Sequence, residues 1–450
     1  MVSTPLLITN LIIAVAVILV AIIVFRWSPV VALICGSIYM GLASGLGLVE
    51  TVGQITEGFG DLMAAVGLSI GFGVIIGQLI YDSGGARSIA LKMIDIFPGQ
   101  LVFYGIGLTA FLFSIPVFFD VTFVILIPLA LALVKEIGKP LPYAVGAMVI
   151  GAAAAHTLVP PTPNPLAAAD ILGFDLGIMI IAGLLFGILA VFLSIKILFY
   201  FFDLGFWNEE KDQIKEPLET TEEYPQNAPG AIVAVIPIIT PILLILSGTA
   251  CQAFTEQVPG IIQFLSHKVT AMLVGAIMAY VIAGRCMKGK VMTQSVQKAM
   301  GSAGLVLLIT GAGGSFGAVI ESTEIGTTLA SGISSFSNSA LWAILITYGI
   351  ALIFRVSQGS GTVASITTMN IMAGASLATT VGLHPVWIAL AALSGGMSIG
   401  HINDSGFWVT VELSGFSVTG GLKIYTCGEF IISIIVLTLA VLGGTFLPAL

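Results

Sequence analysis

Apolar runs of roughly 20 residues, the length that crosses a bilayer, recur along almost the whole chain with few polar positions between them. Runs at 5–25, 29–48, 66–81, 177–200, 231–250, 269–284, 303–320 and 428–447 each predict a membrane-spanning helix. Two longer apolar regions, 100–135 and 340–378, predict re-entrant hairpins. Two further regions predict broken helices: "AAAAHTLVPPTPNPLAAAD", with Pro160, Pro161, Pro163 and Pro165 in six residues, and 386–411, with "GHINDSGFW" at 400–408. One stretch lacks apolar period altogether: "FFDLGFWNEEKDQIKEPLETTEEYPQNAPG" is charged and proline-bearing and reads as a linker. The domain division is therefore 1–202, a linker at 203–230, and 231–450.

Composition sharpens this to an all-α polytopic membrane protein with about 10–12 spans. The 450 residues are 57% hydrophobic and 8% charged, against roughly 25% charged in a soluble domain. The lipid bilayer is thus an obligate partner, and a nucleic-acid partner is not expected. The N-terminus has no positive n-region or small-residue cleavage site, so its first apolar run reads as an uncleaved span. Cys35, Cys251, Cys286 and Cys427 show no paired spacing, so neither a disulfide framework nor a metal or other cofactor site is expected.

Lys and Arg are retained on the cytoplasmic side, and they orient the chain. With the N-terminus outside, Arg26, Arg87, Lys92, Lys135, Lys139, Lys196, the linker and "RCMKGK" at 285–290 all fall inside. Glu50, Glu57 and Asp61 then lie outside, in an acidic, Lys-free stretch between spans. Of fifteen Lys and Arg, only Lys268 and Arg355 fall away from the cytoplasm. The two halves enter from opposite sides.

Self-similarity supports a duplication. "GFGVIIGQLI" (71–80) and "GAGGSFGAVI" (311–320) share Gly71/Gly311, Gly73/Gly313, Gly77/Gly317 and Ile80/Ile320. "DILGFD" (170–175) and "ELSGFS" (412–417) share Gly173/Gly415 and Phe174/Phe416. Thr122 and Thr362 sit at the two hairpin tips, and His156 and His401 in the two broken helices. Two inverted-topology repeats with discontinuous helices are the plan of secondary transporters, whose substrate and ion sites lie near mid-membrane. No G-x-x-x-x-G-K-[ST] is present, so ATP-driven transport is disfavoured.

Polar chemistry meets broken helix at four places. Asp120, in "SIPVFFDVTFVILIP" beside Thr122, is an intramembrane acid, which is by default a functional candidate; it reads as a proton carrier or as a structural hydrogen-bond acceptor. In the proline-rich break, freed carbonyls and a helix N-terminus near Pro165 make His156, Pro161 and Asn164 candidates for substrate contact. His156 reads equally as a buried structural histidine. In "FRVSQGSGTVASITT", Gln358, Ser360 and Thr362 offer amide and hydroxyl groups, and Gly359 permits close backbone approach. Arg355 reads either as a bidentate partner for a carboxylate or as a helix-end arginine snorkelling to an interface. His401, Asn403, Asp404 and Ser405 form the densest polar cluster in an apolar region, with Asp404 a second proton-coupling candidate. No third metal ligand accompanies His401 and Asp404.

Through these residues the chain resembles the gluconate permease family of carboxylate:proton symporters, which includes D-serine carriers. The strings that carry the likeness are "GFGVIIGQLIYDSGGA", "PVFFDVTFVILIPL", "AHTLVPPTPNPLAAA", "RVSQGSGTVA" and "GHINDSGFW". His156, Pro160, Pro161, Pro163 and Pro165 match the family's His-Gly-Phe-x-Pro-Pro-His-Pro-Gly-Pro pattern, with Thr162 where histidine is common and Asn164 where glycine is. Gly400 to Asp404 stand for its Ser-His-Val-Asn-Asp segment, and Gln358 to Thr362 for Gln-Gly-Ser-Ala-Thr. The resemblance implies an elevator-type fold of two inverted repeats in a bacterial inner membrane. It implies import of a small organic anion, gluconate or a related sugar acid, with protons.

Sodium coupling and a D-serine-type amino-acid substrate are the alternatives. An intramembrane enzyme is a distant one, because H-E-x-x-H and G-x-S-x-G are absent; the expectation is not an enzyme. A channel fits poorly with polar groups gathered at one site. Oligomeric state is left open, a homodimer included.

Overall fold

The computed structural model describes residues 4–97, 99–115, 119–214, 227–255, 258–323, 339–402 and 404–449. Among them regular structure is helical, apart from one isolated bridge between Gln213 and Phe416. The first half comprises α1 (Thr4–Ile23), α2 (Pro29–Ala43), α3 (Leu48–Asp82), α4 (Gly85–Ile96), α5 (Val102–Ser114), α6 (Phe119–Ile137), α7 (Leu141–Leu158), α8 (Pro163–Ile171) and α9 (Leu176–Asp203). A short α10 (Glu209–Asp212) follows. The second half comprises α11 (Ala231–Phe254), α12 (Gly260–Ser266), α13 (Lys268–Cys286), α14 (Gly289–Glu321), α15 (Ser339–Gln358), α16 (Gly361–Gly374), α17 (Leu377–Val381), α18 (Pro385–Gly396), α19 (Ser405–Ser414) and α20 (Val418–Gly421). A π-helical turn, Leu422–Thr426, joins α20 without interruption to α21 (Cys427–Phe446). Among the described residues, seven stretches are long and apolar enough to cross a membrane, and five shorter apolar helices accompany them.

Two expectations change. The span expected at 66–81 begins earlier: the acidic stretch at Glu50, Glu57 and Asp61 is the first half of α3, a single helix of 35 residues. Likewise the span expected at 303–320 begins earlier, the polar segment after "RCMKGK" forming the first half of α14, 33 residues long. Both were masked by charge on the outer faces. Thr51, Ile55, Gly58, Leu62, Val66 and Ser69 are buried at spacings of three or four, a single helical stripe. Small residues then let α3 and α14 cross closely. A β-carbon on Gly58 would lie 2.6 Å from the Gly314 carbonyl oxygen, and one on Gly314 2.5 Å from that of Gly58. Ser315 Oγ donates to the Ile55 carbonyl at 2.8 Å.

At the centre lie α7 and α18, apolar on every side and buried over nearly their whole length, as core helices are. Each stops inside the protein. Helix α7 ends where Val159 turns extended and Pro160 and Pro161 follow, residues with no N–H to continue the ladder. The chain restarts at α8 from an extended Thr162, whose hydroxyl donates to the Val159 carbonyl at 2.7 Å. Helix α18 stops at Gly396, and α19 starts from an extended Asp404.

The linker expectation also changes at its start. Residues 208–214 are folded and clasp the turn between α19 and α20. Asp212, fully buried, accepts from Asn208 N–H at 2.8 Å and from Lys423 Nζ at 2.7 Å. The Ile214 N–H donates to the Gly415 carbonyl and Ser417 N–H to that of Asp212. Trp207 packs edge-on against Phe416, and Lys423 sits over the Phe206 ring. Charge gave this segment the look of a solvated linker, whereas its aromatic and backbone groups dock it.

Candidate functional site

The interrupted helix ends converge on one cavity of about 440 Å³. Into it come the last turn of α7 with His156, the start of α8 with Asn164, and the α15–α16 junction with Arg355, Gly359, Ser360, Gly361 and Thr362. The start of α19 brings Asp404, Ser405 and Gly406, and the uninterrupted last helix brings Tyr425 and Glu429.

Helix N-termini carry unpaired N–H groups and a partial positive charge. Those of α16 and α19 open on the cavity, so Gly361, Thr362 and Ser405 present their backbone there. Each is capped one step further in: Ser360 Oγ accepts from Val363 N–H at 3.3 Å, and Asp404 Oδ1 from Gly406 N–H at 3.0 Å. The start of α8 supplies less than its sequence promised. The helix begins at Pro163, two residues before Pro165, and neither proline has an N–H, so Asn164 alone among its first three residues has one to give.

Arg355 is the centre of charge. It is only 4% exposed, so it does not snorkel. Its Nη1 donates to the Gly359 carbonyl. Its Nη2 meets Asp404 Oδ2 at 2.5 Å and Glu429 Oε2 at 2.6 Å. Tyr425 Oη donates to the same Asp404 oxygen at 2.7 Å. Gly400 lies against this cluster, and its carbonyl accepts from Thr426 Oγ1 at 2.5 Å. Among the described residues, Arg355 Nε, a donor, and Asn164 Oδ1, an acceptor, are buried on the cavity wall without a hydrogen-bond partner.

The positive-inside exceptions of the sequence, Arg355 and Lys268, are thus both ion-paired. Lys268 Nζ, at the start of α13, holds Asp170 at the end of α8.

The other sequence candidates fall outside the cavity or outside the described residues. Thr122 is buried and accepts from Ser114 Oγ at 2.9 Å, bridging α5 and α6. Pro161 packs beside Gly73. His401 Nε2 is 3.0 Å from the Val356 carbonyl. Asp120 lies in the first turn of α6 and Gln358 ends α15, but their side chains, like all of Asn403, lie outside the described residues. Tyr425 and Glu429 escaped the sequence reading. The signal was there: an acid inside the last apolar run, with a tyrosine one turn before it on the same helix face.

A family model described as GntP family permease matches residues 6–444. The chain belongs to that family. It is 28% identical to the gluconate permease of Pseudomonas aeruginosa, over 91% of each chain. It is 29% identical to the D-serine transporter DsdX of Escherichia coli, over 98% of this chain and 97% of the other. Among solved structures, the YdaH transporter of Alcanivorax borkumensis shares the fold with a TM-score of 0.62 at 15% identity, over 93% of this chain and 98% of that one. The chain is accordingly a multi-pass membrane permease and not an enzyme.

Proposed function

We propose that this member of the GntP permease family imports a small hydroxy-carboxylate, gluconate or a related sugar acid, in symport with protons across a bacterial inner membrane. The observation that carries the reading is Arg355: a buried guanidinium whose Nε has no partner among the described residues, on a cavity between the N-termini of α16 and α19. A substrate carboxylate gains from both fields, and the guanidinium's is strengthened by its burial. Hydroxyl groups of a sugar acid have Ser360, Thr362, His156 and the open Oδ1 of Asn164 to meet.

Charge balance supports the proton. One guanidinium faces two carboxylates, Asp404 and Glu429, so the empty site is formally one charge negative with His156 neutral. An anion entering alone would leave two negative charges in a buried space, at a high desolvation cost. A proton entering with it restores the balance.

The inverted-repeat, elevator-type reading rests on a recurring order of elements. A helix of more than 30 residues, α3 or α14, is followed in each half by a pair broken near its middle, α5–α6 or α15–α16. A broken helix comes next, α7–α8 or α18–α19, and a long terminal helix last. The rigid α3–α14 crossing suits a stationary frame, and the helices that end at the cavity suit the moving part.

A second reading has one observation in its favour. The two carboxylates beside Arg355 also suit an ammonium group, so a small amino acid of D-serine type is the alternative. Counterflow exchange in proteoliposomes, screened over sugar acids, small hydroxy acids and D-serine, decides between them. Saturable exchange of none of these would refute the proposal.

A further inference from the structure

The two acids that share Arg355 are held unequally. Asp404 accepts from three donors: Arg355 Nη2, the Tyr425 hydroxyl and, on its other oxygen, the Gly406 N–H at the start of α19. Glu429 has one. Its helix runs on unbroken from Val418 through the π-helical turn, so no free helix N–H is available to it. Its side chain is 5% exposed; its hydrogen bond comes from Arg355 Nη2, and the Tyr425 hydroxyl beside it is already donated to Asp404.

The guanidinium itself is incompletely used. Nε and Nη2 form one edge, the edge a carboxylate grips with both oxygens. On that edge Nε has no partner among the described residues, and Nη2 is where Glu429 and Asp404 bind. A substrate carboxylate that takes the edge competes with the less firmly held acid, which is Glu429. Left without its cation, a buried glutamate would be an uncompensated charge, and such a charge is avoided by taking a proton.

We propose that Glu429 carries the coupled proton: a substrate carboxylate displaces it from Arg355, and the freed Glu429 carboxylate binds one proton from the side to which the cavity is open. No other bond forms or breaks. When the substrate leaves on the opposite side, Arg355 reclaims Glu429 and the proton departs. The inference rests on the carboxylate-symport reading above. The groups that face Glu429 are Arg355 from α15, Asp404 from the segment before α19, Tyr425 from its own helix, and His156 across the cavity from α7. His156 is the rival carrier. Asp404, with its three donors, keeps its place on Arg355 throughout.

The test uses purified full-length protein in proteoliposomes, with gluconate and D-serine as probes, comparing wild type with Glu429→Gln. For one proton per monoanion, an inward gradient of one pH unit gives wild type an accumulation ratio of about tenfold. Glu429→Gln is expected to bring that ratio to about one, with counterflow exchange persisting. Accumulation by Glu429→Gln equal to wild type overturns the assignment and leaves proton symport standing, with His156→Gln the next variant. Loss of counterflow in a folded Glu429→Gln also overturns it, because Glu429 would then serve binding itself. A wild type that does not respond to the pH gradient overturns the symport reading and the assignment together. If Glu429→Gln does not fold, wild type in weakly buffered detergent solution takes its place. Uptake of about one proton per carboxylate bound is expected, following from the charge balance, and none would overturn the assignment.

Discussion

Gly400 sits where any side chain would strike Glu429: a β-carbon built on it falls within contact distance of Glu429 Oε2, and of Arg355 Nη2 and Asp404 Oδ2 as well. The glycine is therefore required by the ion cluster rather than by its own backbone. Gly400→Ser is expected to push the three charged groups apart while leaving the helices intact. Overpacking of this kind costs roughly 1–3 kcal/mol, so substrate affinity should fall about tenfold or more. Uptake kinetics beside a thermal melt of the same preparation would show it; unchanged affinity would mean the cluster does not set binding.

Removing Arg355 should cost more than removing it together with Glu429. Arg355→Gln leaves two buried carboxylates facing one another, a loss of roughly 3–5 kcal/mol. The double variant Arg355→Gln/Glu429→Gln takes away one of those charges and should recover part of the stability. A double-mutant cycle on detergent melts measures the coupling. Additive losses would show that the pair is not energetically linked.

Asn164→Leu should separate binding from stability. Asn164 Oδ1 is a buried acceptor with no partner among the described residues, so its removal should leave the empty protein as stable as before or more so. A substrate hydroxyl or ammonium that donates to it would lose about 1–3 kcal/mol. Weaker substrate affinity with an undiminished melting temperature is the expected pair of results.

The clasp of 208–214 is predicted to hold the end of the last helix. Lys423→Met leaves the buried Asp212 carboxylate without its cation and should destabilise by about 3 kcal/mol. Hydrogen exchange of the Ile214 amide, which donates to Gly415, should rise in the same variant. If the amide stays as protected as in wild type, the clasp is held by its backbone and ring contacts alone.

Which parts of this were legible in the sequence follows from what each signal depends on. Run length marks a span by itself, so α9, α11, α13 and α21 lie close to their expected bounds. The breaks were legible too, because proline and glycine clusters act locally: the α7–α8 gap falls on Pro160 and Pro161, and the α15–α16 gap on Gly359. The polar halves of α3 and α14 were not, since their helical stripe is completed by the partner helix. Gathering of Arg355, Asp404 and Glu429 was hidden for the same reason. They are 49 and 74 residues apart, and the apolar surroundings of Glu429 gave no break to draw notice.

The orientation is open to a labelling test. In a cysteine-free background, Glu50→Cys and Glu210→Cys both place a thiol at an exposed position. With the N-terminus outside, a membrane-impermeant maleimide should label position 50 in intact cells and position 210 only after permeabilisation. The reverse pattern would invert the assignment.

The most direct measurement of the central claim is the accumulation ratio of gluconate in wild-type proteoliposomes under an inward pH gradient, with sodium absent. Proton-coupled carboxylate import predicts a ratio of about tenfold for one pH unit and one proton, collapsing when the gradient is dissipated. A ratio that stays at one, or that rises only when a sodium gradient is supplied, would contradict it.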